Sequence, residues 1–163
     1  MTRGEIAADW WREAVANRNS GAARGLAARL RRADGVAVLA EPGVQGLARR
    51  LGMGPAQAGD LIRLVQVLAE LRDGDGASLA RRLGGEVLSP LRFQRLMRAS
   101  GPEFTTQLRR AIIMADRRCH AARLAGDVLV WDHPDWGDAA RARWCFDYFG
   151  APLEAQSPEE ATQ

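Results

Sequence analysis

Apolar residues recur every three or four positions along most of this chain, and no run of strand length alternates between apolar and polar residues. Such spacing places apolar side chains along one face of a helix, whereas a half-buried strand needs strict alternation. The clearest stretch is residues 55–72, whose predicted buried stripe consists of Leu61, Leu64, Val65, Leu68 and Leu71. The sequence therefore predicts an all-α protein, a compact bundle of about eight helices.

Capping residues and glycine or proline breaks give the predicted helix boundaries. Ser20 is predicted to cap a helix that ends near residue 32, Gly52 to close a helix over 44–51, and Ser89-Pro90 to begin another. Pro102 is predicted to begin a helix that continues to residue 124. The remaining predicted helices are residues 6–18, 55–72, 78–83 and 139–149, and one more that precedes a turn over 131–137.

The predicted helices form one domain over residues 1–150, either undivided or as two small lobes at about 1–99 and 100–150. Residues 151–163 lack apolar periodicity and are predicted to be a disordered acidic tail. The chain is long enough to bury a core without disulfides or metals. No stretch reaches the roughly 20 apolar residues of a membrane helix, and no signal peptide is visible, so a cytoplasmic location is expected.

No residue pattern indicates catalysis or a bound cofactor. Cys119 and Cys145 form no CxxC pair and are expected to be reduced core thiols. Together with His120 and His133 they lack the spacing of zinc ligands, so no metal site is predicted. His133 is accompanied by neither a nucleophile elbow nor a phosphate-binding glycine loop. The chain is therefore predicted not to be an enzyme.

The basic charge is concentrated in the first three quarters of the chain. Residues 1–123 contain 21 Arg and 12 Asp plus Glu, whereas residues 124–163 contain 2 and 8. All 23 basic residues are arginine. A guanidinium group can bind a phosphate through two parallel hydrogen bonds, so this asymmetry favours a basic surface for a polyanion.

The stretch "SPLRFQRLMRASGPEFTTQLRRAII", residues 89–113, contains five arginines and a single acidic residue, Glu103. Surface helices usually place carboxylates four residues from basic side chains, and none is available here. The alternative is an ordinary solvated surface. We predict that this stretch binds phosphate through Arg92, Arg95, Arg98, Arg109 and Arg110.

Two further groups of arginines extend this prediction. Arg31 and Arg32 lie at the end of the helix that contains "AARLRRA", where a cation also complements the helix dipole. Arg141 and Arg143, in "AARARWCFDYF", are the only basic residues of the acidic last quarter. Nearby aromatic residues are expected in the core, with base stacking as the alternative: Trp131, Trp136, Trp144, Tyr148 and Phe149.

A helix-turn-helix over residues 47–65 is the alternative interpretation, with residues 55–72 as the recognition helix of a transcriptional regulator. A recognition helix presents polar side chains to base edges near its start. This segment begins with Ala56, Gln57, Ala58 and Gly59, which offer little to read bases with.

The chain also resembles the CasB family, the small subunit of the type I-E CRISPR Cascade complex. The motifs "WWREAV", "ARLRRA", "SPLRFQRLMRA", "LRRAI" and "ARARWCFDYF" occur in the family's order between Trp10 and Phe149. Residues 36–76 match only loosely and carry no assignment.

The resemblance implies a non-nuclease subunit present as two copies beside other Cascade subunits, in contact with guide RNA, target DNA and the displaced strand. The motifs carry phosphate-binding roles onto Arg32, Arg92, Arg98, Arg109, Arg110 and Arg141. Adjacent positions add Arg31, Arg95 and Arg143. In guide-directed complexes base pairing reads the sequence, so a subunit that contacts only the backbone needs no base-reading side chains.

Overall fold

A computed structural model describes residues 1–150, and within them all regular structure is helical. Eight of the ten α-helices have seven or more residues, which confirms the predicted all-α bundle of about eight helices. The helices are α1 (Arg3–Ala14), α2 (Gly21–Arg32), α3 (Gly35–Leu39), α4 (Pro42–Leu51), α5 (Ala58–Ala69), α6 (Leu79–Leu83), α7 (Pro90–Arg98), α8 (Gly101–Met114), α9 (Ala121–Val130) and α10 (Trp136–Gly150). A single 3-10 turn, Pro55–Gln57, precedes α5.

Helix α5 lies at the centre of the bundle and packs against α2, α3, α8 and α9. Its predicted apolar stripe is buried, and so are the polar residues Arg63 and Gln66 on its other sides. A recognition helix must expose one face to a DNA groove. The burial of α5 therefore disfavours the helix-turn-helix alternative.

Three residues predicted to cap helices lie at helix ends in the structure. The Ser20 hydroxyl accepts a hydrogen bond from the Ala23 amide at 3.2 Å, and Ser89 accepts one from the Arg92 amide at 3.3 Å. Gly52 ends α4 in the left-handed region, at φ 66°. These three boundaries are confirmed, whereas the five-residue helix α3 was not predicted.

The predicted continuous helix over residues 102–124 is wrong, because α8 ends at Met114 and α9 begins at Ala121. The chain between them pairs with the segment that follows α5. The Arg117 carbonyl accepts hydrogen bonds from the Arg72 and Asp73 amides at 2.8 and 3.2 Å. These contacts between distant parts of the sequence end the helix where no glycine or proline does.

Helices from both halves of the chain pack closely. A Cβ on Gly4 in α1 would lie 2.3 Å from the Ala122 carbonyl oxygen of α9, so only glycine allows the two helices to approach this closely. Helix α10 packs against α6 and α9. This packing is consistent with a single domain, which stays a prediction. The predicted disordered tail, residues 151–163, lies outside the described residues.

The late aromatic residues divide between core and surface. Trp131, Trp144 and Tyr148 are buried as predicted, whereas Trp136 and Phe149 are exposed, so the core prediction is wrong for these two. Among the described residues no helix is both long and apolar enough to cross a membrane.

Candidate nucleic-acid interface

Helices α7 and α8 enclose a cavity of about 420 Å³ that is lined by Arg92, Arg95 and Arg110. Phe93 and Leu96 anchor α7 in the core. Because neighbouring positions on a helix differ by about 100°, this anchoring turns the arginines of α7 outward. The fold therefore brings together three of the nine arginines predicted to bind phosphate.

The lining of this cavity contains no carboxylate. Its other residues are Leu88, Leu96, Gln107, Ala111 and Met114. The nearby Glu103 accepts a hydrogen bond from the Gln107 side chain at 2.9 Å. Within residues 1–150, Arg92, Arg95 and Arg110 have no ion-pair partner, and neither do the exposed Arg98 and Arg32.

Arg109 lies on a different side of α8 from Arg110. Its Nη2 donates to the Arg31 carbonyl at 2.6 Å and to Glu70 Oε1 at 3.4 Å. Arg117 Nη1 donates to the other oxygen of the same buried carboxylate at 3.1 Å. Arg109 is thus partly occupied by contacts within the protein, unlike its neighbour in sequence.

Arg141 belongs to a stack of four side chains. Its guanidinium carbon lies 4.5 Å from the centre of the Trp131 ring, and that ring stacks on Phe104 with 4.5 Å between ring centres. Arg63 lies over Phe104, 5.2 Å from the ring centre. The order is therefore Arg141, Trp131, Phe104, Arg63, with a cation over the outer face of each ring.

The two arginines of this stack also bind the corner between α7 and α8. Arg141 Nε donates to the Met97 carbonyl at 3.1 Å, and its Nη1 donates to the Trp131 carbonyl at 2.9 Å. Arg63 Nη2 donates to the Gly101 carbonyl at 3.2 Å. The stack therefore fixes the end of α7 and the beginning of α8, the helices that carry the arginine-lined cavity.

Arg143 lies where α9 and α10 pack together. Its Nη2 donates to Asp127 Oδ1 at 2.7 Å, and Trp144 Nε1 donates to the second oxygen at 2.7 Å. Most of the Arg143 side chain is nevertheless exposed. The nine predicted arginines thus fall into two groups, those without a partner in the described chain and those with one: Arg31, Arg109, Arg141 and Arg143.

A second arginine-lined cavity, of about 300 Å³, was missed by sequence reasoning. Its basic residues are Arg18, Arg24, Arg31 and Arg72, and its lining contains no carboxylate. Only Arg31 had been predicted. The other three come from separate segments, the link after α1, helix α2 and the chain that follows α5, so no local pattern marks them.

Arg31 lies among other arginines and near one carboxylate. Burial lowers the pKa of its guanidinium, Glu70 opposes that effect, and the nearby Arg117, Arg72 and Arg32 lower the pKa further. Arg31 Nη1 also donates to the Ala69 carbonyl at 3.2 Å. Its location in a cavity whose lining contains no carboxylate suits an anionic ligand.

The histidines have structural contacts. The His120 ring accepts a hydrogen bond from the Arg123 amide at 3.2 Å and caps α9. His133 Nδ1 accepts from the amides of Asp135 and Trp136, which closes the turn before α10. In the described part of the chain, no three His, Cys, Asp or Glu residues form a group that could hold a metal ion.

Comparisons with known proteins agree with this architecture. A family model for the CRISPR-associated protein Cse2 matches residues 26–149. A CRISPR-associated protein Cse2 from Thermus thermophilus is 31% identical over 107 residues, which span 61% of this chain and 62% of that relative. The chain thus matches somewhat less than two thirds of that relative's length.

The crystal structure of a Cse2-family CRISPR-associated protein from Thermus thermophilus superposes with a TM-score of 0.74. The superposition covers 92% of this chain and 99% of the other at 23% identity, and it shows a shared all-helical fold. The family match extends over more than half of the chain and includes α7, α8 and α10. The chain therefore belongs to the CRISPR-associated Cse2 family, which is also called CasB.

Proposed function

We propose that this chain is a non-catalytic subunit of a type I-E CRISPR Cascade complex that holds guide RNA, target DNA and the displaced non-target strand through arginine–phosphate contacts. The observation that carries the proposal is the cavity between α7 and α8, where Arg92, Arg95 and Arg110 converge without a carboxylate. Three cations in one concave surface repel one another, and a phosphodiester backbone would relieve that repulsion.

The chemistry of this surface suits binding without sequence selection. Arginine contacts to phosphate position a strand and carry no base information. The remaining lining is mostly apolar, with Gln107 as the one uncharged polar side chain. A subunit of a guide-directed complex needs this kind of surface, because base pairing between guide and target reads the sequence.

The predicted arginines have different parts in this proposal. The proposed direct phosphate ligands are Arg92, Arg95, Arg98 and Arg110 on α7 and α8, together with Arg31 in the second arginine-lined cavity and its neighbour Arg32 at the end of α2. Arg109, Arg141 and Arg143 contribute their remaining donors and also position the helices through their protein contacts. The partners proposed from the family are the other Cascade subunits and a second copy of this chain, in the cytoplasm.

The experiment is binding of fluorescent single-stranded DNA and RNA of several unrelated sequences to the full chain at fixed salt. We expect similar affinities for all sequences, and a loss of at least about ten-fold in the triple variant R92A/R95A/R110A. The matched control is R12A/R49A/R50A, which removes three exposed arginines of α1 and α4 and hence the same net charge.

The control separates a local site from general attraction to a basic protein. Equal losses in both triple variants would contradict the assignment to α7 and α8. A strong preference for one double-stranded sequence would contradict the proposed mode of binding altogether, since phosphate contacts cannot produce it.

A further inference from the structure

A groove of about 1080 Å³ lies between the beginning of α1, α9 and α10. It shares no lining residue with either arginine-lined cavity. Its apolar lining includes Leu129, Val130, Ala139 and Ala142, together with two large aromatic side chains that are exposed. Trp136 is 62% exposed and Phe146 is 79% exposed, although both belong to a well-formed helix.

The aromatic residues are spaced to form a continuous strip on α10. Trp136, Ala139, Ala142 and Phe146 follow one another at intervals of three, three and four residues, so they share one face of the helix. Contiguous exposed apolar patches on soluble proteins usually mark interaction sites, and aromatic residues dominate binding energy at protein interfaces. An open groove beside such a strip suits the apolar face of a helix.

The charged residues around the groove define the charge of its partner. Its three carboxylates already accept hydrogen bonds from within the protein: Glu5 from the Thr2 amide, Asp127 from Arg143 and Asp147 from Ser78. Arg3 and Arg123 also line the groove, are exposed, and have no ion pair in the part of the chain that the structure describes. Asp127 and Asp147 form ion pairs with Arg143 and Arg81. Two cations, Arg3 and Arg123, then remain against the one carboxylate of Glu5, so the unpaired charge is positive and favours carboxylates on the partner.

Within the described residues, helices α7 and α8 of a second copy do not offer a matching surface. Their exposed apolar side chains include Leu91, Ile113 and Met114. Leu91 adjoins Arg92, and Met114 lines the cavity that contains Arg110. Such a basic apolar surface would be repelled by Arg3 and Arg123, so complementarity favours a different protein.

We propose that the groove between α1, α9 and α10 docks an acidic amphipathic helix of another protein, with Trp136 and Phe146 as apolar anchors and Arg3 and Arg123 as partners for its carboxylates. The choice of binding partner rests on the proposed function, which makes this chain one subunit of a larger complex. The groove would then bind protein, whereas the arginine-lined cavities would bind nucleic acid.

The experiment measures binding of the full chain to Cascade assembled from its other subunits. We expect W136A/F146A to bind at least about ten-fold more weakly than the natural chain, because both anchors are lost. The control is V36A, which shortens an apolar side chain that is 80% exposed on α3 and lies outside the groove. Since Trp136 and Phe146 are exposed, the thermal unfolding midpoint of W136A/F146A should stay close to that of the natural chain.

The charge requirement is tested by R3E/R123E, which should also weaken docking at least about ten-fold. An unchanged or stronger interaction would overturn the acidic partner. Binding of single-stranded DNA by isolated W136A/F146A should equal that of the natural chain; a clear loss would make the strip a base-stacking surface and overturn the inference.

Two other occupants give distinct results. If W136A/F146A abolished self-association of the isolated chain, measured by light scattering, the occupant would be a second copy and the inference would fail. If E154Q/E159Q/E160Q strengthened docking, the groove's own occupant would be residues 151–163, which also contradicts the inference.

Failure of the inference and failure of the proposed function look different. Equal docking of W136A/F146A and the natural chain overturns the inference and leaves the proposed function standing. A natural chain that does not join the complex overturns both.

Discussion

Glu70 is a buried carboxylate that serves two guanidinium groups at once. Arg109 and Arg117 each donate to one of its oxygens, at 3.4 and 3.1 Å. Removing one member of a buried charge cluster leaves the others without compensation. We expect Glu70→Gln, which keeps the size of the side chain and removes its charge, to lower the free energy of unfolding by about 3 kcal/mol.

Urea unfolding at neutral pH measures this effect. Glu86→Gln is the matched control, because Glu86 is exposed and its side chain makes no hydrogen bond or ion pair in the described chain. If Glu70→Gln lowers the free energy of unfolding as little as Glu86→Gln does, the two arginines do not depend on this carboxylate.

Cys119 is a buried thiol whose pKa is raised. Burial raises its pKa from 9.0 to about 12, with Arg82 opposing the shift and Asp73 adding to it. The reactive thiolate is therefore scarce at neutral pH. We expect iodoacetamide at pH 8 to modify the half-buried Cys145 first and to reach Cys119 only after denaturation, as followed by peptide mass spectrometry.

The same shift makes stability depend on pH. The folded thiol keeps its proton up to about pH 12, whereas the unfolded thiol loses it near 9.0. The contribution of Cys119 is thus complete below pH 9.0 and is lost as the pH rises towards 12. A Cys119→Ala variant that shows the same alkaline loss of stability as the natural chain would contradict this assignment.

At the scale of elements, the corner between α7 and α8 depends on Arg141. Lysine at this position keeps the charge but cannot donate to both the Met97 and Trp131 carbonyls as the guanidinium does. We expect Arg141→Lys to lower the free energy of unfolding by about 1.5–3 kcal/mol, the range for hydrogen bonds that involve a charged group.

This substitution separates two roles of Arg141. If the residue acts mainly as a phosphate ligand, Arg141→Lys should keep both stability and binding of single-stranded DNA. If the corner depends on it, stability should fall in a denaturant titration. A fully stable Arg141→Lys protein would contradict the positioning role.

Elements whose signals are local could be predicted from the sequence. Ser20, Ser89 and Gly52 mark helix ends because their side chains or backbone angles satisfy the helix terminus directly. The break between α8 and α9 could not be predicted. Asp116 and Arg117 adopt left-handed angles, both at φ 58°, which the hydrogen bonds from the distant segment after α5 stabilise.

The candidate site was predictable only in part for the same reason. Arg92 and Arg95 share a helix face with no carboxylate near in sequence, so their pattern shows in a short window. Arg141 has Asp138 three residues before it, at 3.8 Å in the structure, yet it also donates to the Met97 carbonyl of α7 and to the Trp131 carbonyl that follows α9. Every residue has a carbonyl, so composition gives no sign of such a contact.

On the scale of the whole molecule, the fold places seven arginines in two cavities whose linings contain no carboxylate. A different set of residues lines the aromatic groove. Arg18, Arg24 and Arg72 reach the second cavity from three different segments. Arginines that are distant in the sequence therefore form distinct basic surfaces in the folded chain. Under the proposed function, this arrangement would give the chain separate surfaces for nucleic acid and for other proteins.

The most direct test of the proposed phosphate-binding surface is the salt dependence of single-stranded DNA binding by the full chain. Each phosphate neutralised contributes about 0.7 to the slope of log K against log salt concentration. R92A/R95A/R110A should therefore reduce the magnitude of the slope by about 2, while R12A/R49A/R50A should leave it nearly unchanged. Equal slopes for the natural chain and R92A/R95A/R110A would contradict the account.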